Sequence, residues 1–233
     1  MGDYDDISRA DLEEIGAHLA AETARVERER IAVPDLDRYL VAWDTITAEL
    51  VAEFQHVVDN ATTEHDTQRF LQEHPELLLQ PLGGGHGRWV IPQKAFGGHF
   101  RSDFMIAELS SVGLEWRAVE LEGPQRPLFT KGGEQAHYLK KGIAQIEDWR
   151  LYIRENLDSC RKPRHEMGLG LVDIDDSVRG WVIIGRRSPA DRTTKMRRRQ
   201  LAYRHDIEIH TYDWLIEKAQ QRVDELERSR SAD

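Results

Sequence analysis

The sequence predicts a mixed α/β domain behind a helical segment at the N-terminus. Apolar residues recur at helical spacing over the first 80 residues, and strand-like segments begin after the Gly83–Gly87 turn. Beyond residue 123, helices and strands alternate, so the predicted order is three helices, three strands, then helix, strand, helix, strand and helix. We therefore divide the chain into an acidic helical segment at residues 1–61 and an α/β domain at residues 62–233.

Helices are predicted where apolar residues recur every three or four positions. Thr62 and Thr63 provide a cap for the helix that Glu64 opens, and His74–Pro75 ends this helix. The predicted helices span residues 8–30, 35–60, 64–73, 134–156, 191–204 and 212–228. The predicted strands span residues 88–96, 101–109, 116–122, 179–185 and 206–210.

Composition restricts the class of protein. The chain of 233 residues has a single cysteine, Cys160, which excludes a disulfide framework and a Cys-based zinc site. No apolar run reaches the roughly 18 residues that a membrane-spanning helix needs. The acidic N-terminus lacks the apolar segment of a signal peptide. We expect a cytoplasmic protein with no membrane partner.

Charge is distributed unevenly along the chain. Residues 1–80 carry 19 acidic and six basic side chains, whereas residues 81–233 carry 23 acidic and 26 basic ones. Because contacts to phosphates are local, this asymmetry is more informative than the net charge of −10. The second part of the chain is a candidate for a basic surface, although ordinary solvated faces have the same composition.

Three carboxylates form the strongest chemical pattern. Asp103 interrupts an apolar segment, and Glu120 and Glu122 alternate on the next strand, so both leave the sheet on one face. If the two strands are antiparallel neighbours, Asp103 reaches the same point. Carboxylates that meet there repel one another unless a hard divalent cation compensates them. The alternative is a polar strand face that pairs with arginines.

Four blocks of sequence resemble the nuclease domain of the Shedu antiphage defence proteins. They are TTEHDTQRFLQEHPELLLQ (62–80), FRSDFMIAE (100–108), WRAVELEGPQRPLFTKGG (116–133) and LKKGIAQIEDWRLYI (139–153). WVIIGRR (181–187) and IEIHTYDWL (207–215) are similar to the family's C-terminal pattern. The resemblance implies a PD-(D/E)xK phosphodiesterase with a restriction-endonuclease-like mixed-sheet core. It also implies cleavage of DNA with Mg²⁺ or Mn²⁺, and assembly as a homo-oligomer.

The resemblance assigns roles to individual positions. Asp103 would be the first metal ligand, and Glu120 would be the acidic residue of the (D/E)xK element. Glu64, at the start of the helix before the sheet, would be the additional helical carboxylate and a further metal ligand. Gln145 would match the glutamine that supports the site, with the aromatic Trp149 four residues later.

One position departs from the superfamily pattern. The third residue of the (D/E)xK element is usually a lysine that orients the attacking water, and this chain has Glu122 there. Lys131 in the following loop or Lys94 would then supply the missing cation. Glu122 itself would act as a general base or as a third ligand. The remaining alternative is that the site has lost catalysis and kept only binding.

A basic stretch near the C-terminus is a candidate for contacts with nucleic acid. Arg186 and Arg187 follow a strand, and Lys195, Arg198 and Arg199 share a face of the next helix. Contacts of these side chains with phosphates would make binding strongly dependent on salt. The alternative is a solvated helix that pairs with the acidic N-terminal segment.

Two functions from different classes follow. The first is a divalent-metal-dependent endonuclease that acts on DNA in bacterial antiphage defence, with residues 1–61 as a regulatory or oligomerising segment. The alternative is a catalytically inactive nuclease-fold module that binds nucleic acid or a partner protein as a sensor or scaffold. The side chain within reach of Glu122 separates them, because a lysine ammonium favours catalysis and an arginine salt bridge favours its loss.

Overall fold

The computed structural model describes residues 34–82, 87–96, 100–187 and 192–232. From Asp35 onwards these residues belong to one compact unit. The helix predicted at residues 8–30 and most of the Gly83–Gly87 turn lie outside the described residues. Within the part of the chain that is described, no helix is long and apolar enough to cross a membrane.

A five-stranded mixed sheet forms the centre of the fold. The described strands are β1 (Gly87–Pro92), β2 (Ala95–Phe96), β3 (Phe100–Arg101), β4 (Phe104–Ser110), β5 (Gly113–Leu121), β6 (Arg179–Ile183) and β7 (Ile207–His210). The spatial order in the large sheet is β1-β4-β5-β6-β7, and β2 pairs with β3 in a separate small ladder. β1, β4 and β5 are antiparallel neighbours, whereas β5, β6 and β7 run parallel. This sheet confirms the predicted α/β fold class.

Two of the predicted strands are interrupted in the structure. The strand predicted at residues 88–96 breaks at Gln93, whose φ of 45° is incompatible with an extended strand. The strand predicted at residues 101–109 breaks opposite, and Gln93 N donates to Asp103 O at 2.8 Å. The break turns β2 and β3 away from the large sheet and leaves Asp103 directly before β4.

The described residues form seven α-helices. These are α1 (Ala48–Asn60), α2 (Glu64–Glu73), α3 (Glu76–Leu79), α4 (His137–Glu155), α5 (Leu157–Arg161), α6 (Arg192–His205) and α7 (Tyr212–Ala232). The Thr63 cap of α2 is confirmed, because Thr63 and Asp66 form a reciprocal capping box. α2 ends at Glu73, directly before the predicted stop at His74–Pro75.

The single helix predicted at residues 35–60 is wrong in its first half. Short 3₁₀ helices occupy Asp37–Tyr39 and Trp43–Thr45, and α1 begins only at Ala48. The Thr47 side chain accepts a hydrogen bond from Leu50 N at 3.2 Å, which caps α1 and fixes its start. The regulatory or oligomerising role of residues 1–61 stays a prediction.

The two faces of the sheet are covered differently. On one face α1, α2, α3 and α7 bury a large apolar core that includes Phe54, Leu121 and Tyr212. On the other face lies α4, where Gly142 packs so closely against Val182 of β6 that a Cβ at this position would lie 3.1 Å from Val182 Cγ1. This close approach holds the first turns of α4 beside the C-terminal end of β5.

Candidate active site

Asp103 is fixed at the junction between β4 and the end of β5. Its Oδ2 accepts a hydrogen bond from Leu121 N at 2.8 Å, and its Oδ1 accepts one from the Gln68 side chain of α2. The Asp103 backbone N lies 3.4 Å from Glu120 Oε1. Asp103 therefore links α2 to the end of the central strand. Its position beside Glu120 follows from the antiparallel pairing of β4 and β5, as predicted.

Glu120 and Glu122 are buried beside Asp103. Their exposed fractions are 2% and 0%, which is rare for carboxyl groups without an arginine partner. Glu120 is paired in register with Val182 of β6, and Glu122 N donates to Ile183 O at 2.9 Å. The parallel pairing thus continues one residue past β5 and holds Glu122 in place.

Lys141 is a residue of the site that sequence reasoning missed. Its ammonium lies 3.2 Å from Glu122 Oε1, and apart from this ion pair neither Glu122 oxygen has a hydrogen-bond partner in the described chain. Gln145 follows four residues later on the same face of α4, and its Oε1 is buried without a hydrogen-bond partner among the described residues. The spacing of Lys141 from the predicted Gln145 was the available signal.

Glu64 completes the cluster from the other side. It lies in the first turn of α2, where its carboxylate is close enough to Glu122 to raise the pKa of that group. Gln68, one turn later, holds Asp103. The structure therefore brings together the predicted residues Glu64, Asp103, Glu120 and Glu122, with α2 on one side and α4 on the other.

The carboxyl groups of this cluster have raised pKa values. Burial, followed by repulsion from Asp103, raises the pKa of Glu120 to about 10. Burial also raises the pKa of Asp103 to about 6, and burial raises that of Glu122 to about 7 against the opposing pull of Lys141. Carboxyl groups outnumber the single ammonium, so full ionisation requires an additional cation.

A polar cleft opens beside this cluster. Its volume is about 410 Å³. It is lined by Glu64, His65, Asp66, Gln68, Arg69, Gln72, Gln93 and Asp103. Because α2 and the Gln93 turn form its walls, an extended polar molecule in the cleft would lie directly against Asp103.

The donor atoms of the cluster are of the kind that hard cations prefer. Among the residues described, no three or more His, Cys, Asp or Glu side chains are grouped so that they alone hold a metal ion. Mg²⁺, however, is usually bound by one or two carboxylates together with waters and substrate phosphates. The unpartnered oxygens of Glu122 and Gln145 fit such an ion or the waters around it.

Neither lysine that the sequence suggested as the missing cation joins the carboxylates. Lys131 is exposed in its loop, and no hydrogen bond or ion pair within the described residues connects it with the cluster. Lys94 is buried elsewhere, where its ammonium donates to Leu169 O at 2.7 Å. The cation beside Glu122 comes from Lys141 instead.

The predicted nucleic-acid contacts divide into two groups. Arg186 is paired with Asp59 and Asp213, and Arg187 is paired with Glu217. Of these partners only Asp59 belongs to the acidic N-terminal segment that the alternative named, whereas Asp213 and Glu217 lie on α7. Arg186 therefore links the end of β6 to α1 and α7, and Arg187 links it to α7.

The basic residues of α6 are in a different state. Lys195 and Arg199 are exposed, and no other described residue pairs with them. Arg198 is partly buried, and its pKa is lowered by burial and by nearby Arg187. Arg197 donates to Gly133 O in the loop before α4. α6 therefore keeps two available cations from the predicted set.

Together the fold and the site define a mixed α/β domain with a buried acidic cluster at the end of its central strand. The chain belongs to the Shedu family, because the family described as Shedu protein SduA, C-terminal, matches residues 61–216, more than half of the chain. This match confirms the resemblance, and membership supports a role in antiphage defence. The matched span contains the whole cluster from Glu64 to Gln145. No curated protein matches the sequence.

Proposed function

We propose that this protein is a divalent-metal-dependent endonuclease that cleaves DNA in antiphage defence. The observation that carries the proposal is the convergence of Asp103, Glu120, Glu122 and Lys141 beside a polar cleft. Within the described part of the chain these acidic side chains have no arginine partner and share one lysine. Such a set is suited to phosphodiester hydrolysis, since this reaction needs both metal ligands and a positively charged donor.

Asp103 and Glu120 are the residues that would hold Mg²⁺ or Mn²⁺, with Glu64 as a further oxygen donor. A bound Mg²⁺ neutralises charge on the scissile phosphate and lowers the pKa of water. The raised pKa values of Asp103 and Glu120 mean that the cation has to displace protons from these groups, so binding is expected to strengthen as the pH rises.

Lys141 takes the role that the lysine of the (D/E)xK element has in related sites. Its ammonium would donate to the attacking water or to a phosphate oxygen and offset the charge that develops in the transition state. Glu122 positions Lys141 through their ion pair. With a pKa near 7, Glu122 also exchanges protons at neutral pH, so it is suited to accept the proton of the attacking water.

The ion pair also bears on the alternative of an inactive binding module. An arginine salt bridge to Glu122 would have favoured lost catalysis. The partner is a lysine on α4, one turn before Gln145, which supports the enzyme over the binding module. The homo-oligomeric state implied by the family is part of the proposal, and it is measurable by sedimentation.

The experiment that tests the proposal compares two neighbouring lysines. Lys141→Met is expected to lower the rate of DNA cleavage about 100-fold, because a positioned charge in the site is lost. Lys140→Met is the matched control, since Lys140 is exposed on the same turn of α4 and lacks an ion-pair partner in the described chain. Rates are measured on plasmid and linear DNA with Mg²⁺ and with Mn²⁺.

Thermal unfolding of both variants shows whether they remain folded. Equal cleavage rates for Lys141→Met and Lys140→Met would refute the assigned role of Lys141. Binding of DNA by the native chain without cleavage in either metal would favour the inactive module.

A further inference from the structure

A second polar cavity lies on the far side of Gln93 from the active-site cleft. Its volume is about 340 Å³. It is lined by Tyr39, Ile91, Pro92, Gln93, Lys94, Ala95, Arg164, Gly168 and Leu169. We call this cavity the basic pocket, because its two charged lining residues are Lys94 and Arg164.

The two cations of the basic pocket are incompletely satisfied. Lys94 is only 8% exposed, and its ammonium, which has three donors, makes one hydrogen bond within the described residues, to Leu169 O at 2.7 Å. Arg164 donates to the Tyr39 hydroxyl at 3.3 Å, but its Nε is buried with no partner in the described chain. Unused donors on the buried Lys94 ammonium and on the buried Nε of the half-buried Arg164 favour an anion in the pocket.

Positive charge exceeds negative charge among the groups described in and around the pocket. Among the described residues, the groups with the largest electrostatic influence on Lys94 are Arg164, Arg38, the Cys160 thiol and the carboxylate of Asp35. Asp35 already accepts a hydrogen bond from Arg164 N at 3.1 Å. Burial, followed by repulsion from Arg164, lowers the pKa of Lys94 to about 8. An anion between the two cations would relieve this repulsion.

Gln93 connects the basic pocket to the active-site cleft. It lines both cavities, and its backbone N donates to Asp103 O at 2.8 Å. Lys94 is its neighbour in sequence, and Lys94 O accepts a hydrogen bond from Ser102 N at 3.0 Å. The two cavities are therefore adjacent, and a polymer of phosphates that follows the surface past Gln93 would reach both Asp103 and the pair Lys94 and Arg164.

We propose that the basic pocket is a phosphate subsite, in which Lys94 and Arg164 bind a backbone phosphate of the nucleic-acid strand whose cleavage is proposed at Asp103. This inference rests on the proposed function. Lys94 contributes a compact charge, and Arg164 contributes the donors that suit phosphate oxygens. Neither residue belongs to the basic stretch that the sequence suggested.

Binding of DNA without metal tests the subsite separately from cleavage. Affinity of the full chain for a short fluorescent duplex is measured by anisotropy in EDTA over a range of salt concentrations. Lys94→Met and Arg164→Gln are each expected to weaken binding about tenfold, as the loss of a charged hydrogen bond does. Each is also expected to reduce the salt dependence by about one phosphate contact. Lys218→Met is the control and is expected to bind as the native chain does, because Lys218 is half-buried on α7 with its ammonium bonded to Gln221 and lines neither cavity.

Inorganic phosphate separates the nucleic-acid backbone from a free phosphate compound. Phosphate is expected to raise the Tm of the native chain relative to chloride at equal ionic strength, and to leave that of Lys94→Met unchanged. If phosphate stabilises the protein but Lys94→Met binds the duplex normally, the assignment to nucleic acid is overturned. If neither probe distinguishes Lys94→Met from the control, the subsite itself is overturned. Lys94-dependent binding without cleavage in Mg²⁺ would overturn the enzyme proposal and leave the phosphate subsite in place.

Discussion

Two charged regions of this molecule differ in how far their charges are paired. At the end of β6, Arg186 and Arg187 face Asp59, Asp213 and Glu217, and each guanidinium has a carboxylate partner. At the end of β5, the carboxyl groups around Glu122 share the single ammonium of Lys141. The charges of the first region are paired within the protein, whereas the carboxyl groups of the second need an additional cation to be fully ionised.

The difference shows which charge clusters are suited to chemistry. Paired surface charges contribute little to stability, and much of their charge is already offset by their partners. Buried carboxyl groups without such partners keep raised pKa values, which is a common feature of active sites. The predictions below test this contrast, from the largest expected effect to the smallest.

Removal of one carboxylate from the unpaired region should abolish most of the activity. Glu120→Gln is expected to lower DNA cleavage about 1000-fold, because a proposed metal ligand is lost. The exposed Glu115 on the same strand provides the control variant Glu115→Gln, which should cleave at the native rate. Single-turnover cleavage in Mg²⁺ measures both. An active Glu120→Gln variant would contradict the assignment.

Stability without metal should fall as the pH rises. The pKa values of Asp103, Glu120 and Glu122 are raised by burial, so the folded state keeps protons that the unfolded chain releases. The loss begins above the unfolded pKa values and continues through the folded ones, near 6 for Asp103 and 7 for Glu122. Glu120, whose folded pKa is about 10, keeps its proton over the whole range, so the three groups together imply a loss of about 6 kcal/mol in the free energy of unfolding between pH 5 and pH 7.

Urea unfolding in EDTA at several pH values measures this loss. Glu120→Gln should show a smaller decrease than the native chain, because one of the titrating groups is gone. A native stability that rises over the same pH range would mean that these carboxyl groups are stabilised in their ionised form by the protein alone.

The two groups of basic residues should respond differently to substitution. Lys195→Gln and Arg199→Gln are each expected to weaken binding of a DNA duplex about threefold, as the loss of an exposed phosphate contact does. Arg187→Gln should leave affinity unchanged and lower the free energy of unfolding by about 0.5 kcal/mol, because its partner Glu217 is partly exposed. Anisotropy and urea unfolding of the same preparations separate the two outcomes. A larger loss of affinity for Arg187→Gln would reverse the contrast.

Deletion of residues 1–33 tests the predicted regulatory role of the acidic segment. These residues carry nine acidic and four basic side chains, so their removal should raise affinity for DNA about twofold at low salt. The deletion ends before Asp35, where the compact unit that contains α1 begins. A longer deletion that removed α1 would take Phe54 and Val58 out of the apolar core. Unchanged affinity at low salt would exclude an electrostatic form of regulation.

The sequence predicted the fold class and the carboxylates because these follow from local rules. Period-two alternation places Glu120 and Glu122 on one face, and an acidic residue in an apolar strand identifies Asp103. The Thr63 cap also depends only on neighbouring residues. The first half of the helix predicted at residues 35–60 was wrong because tertiary packing replaced its first turns with 3₁₀ helices.

Ion pairs between elements that are distant in sequence could not be predicted from the local spacing of residues. Lys141 meets Glu122 through the packing of α4 on the sheet, where its neighbour Gly142 lies close to Val182 of β6. Arg186 was predicted as a contact for nucleic acid because its partners, Asp59 and Asp213, lie on two different helices that are distant in sequence. Which lysine lies beside Glu122 therefore depends on how α4 packs on the sheet, and the periodicity of the sequence does not specify this packing.

The central claim is that the cluster around Asp103 and Glu120 binds a divalent cation. Calorimetric titration of the native chain and of Asp103→Ala with Mg²⁺ and Mn²⁺, alone and with a short duplex present, tests it most directly. The account predicts heat of binding for the native chain that is strongest with the duplex, and its loss in Asp103→Ala. Equal heats for the two proteins, or no heat for the native chain even with the duplex, would contradict the claim.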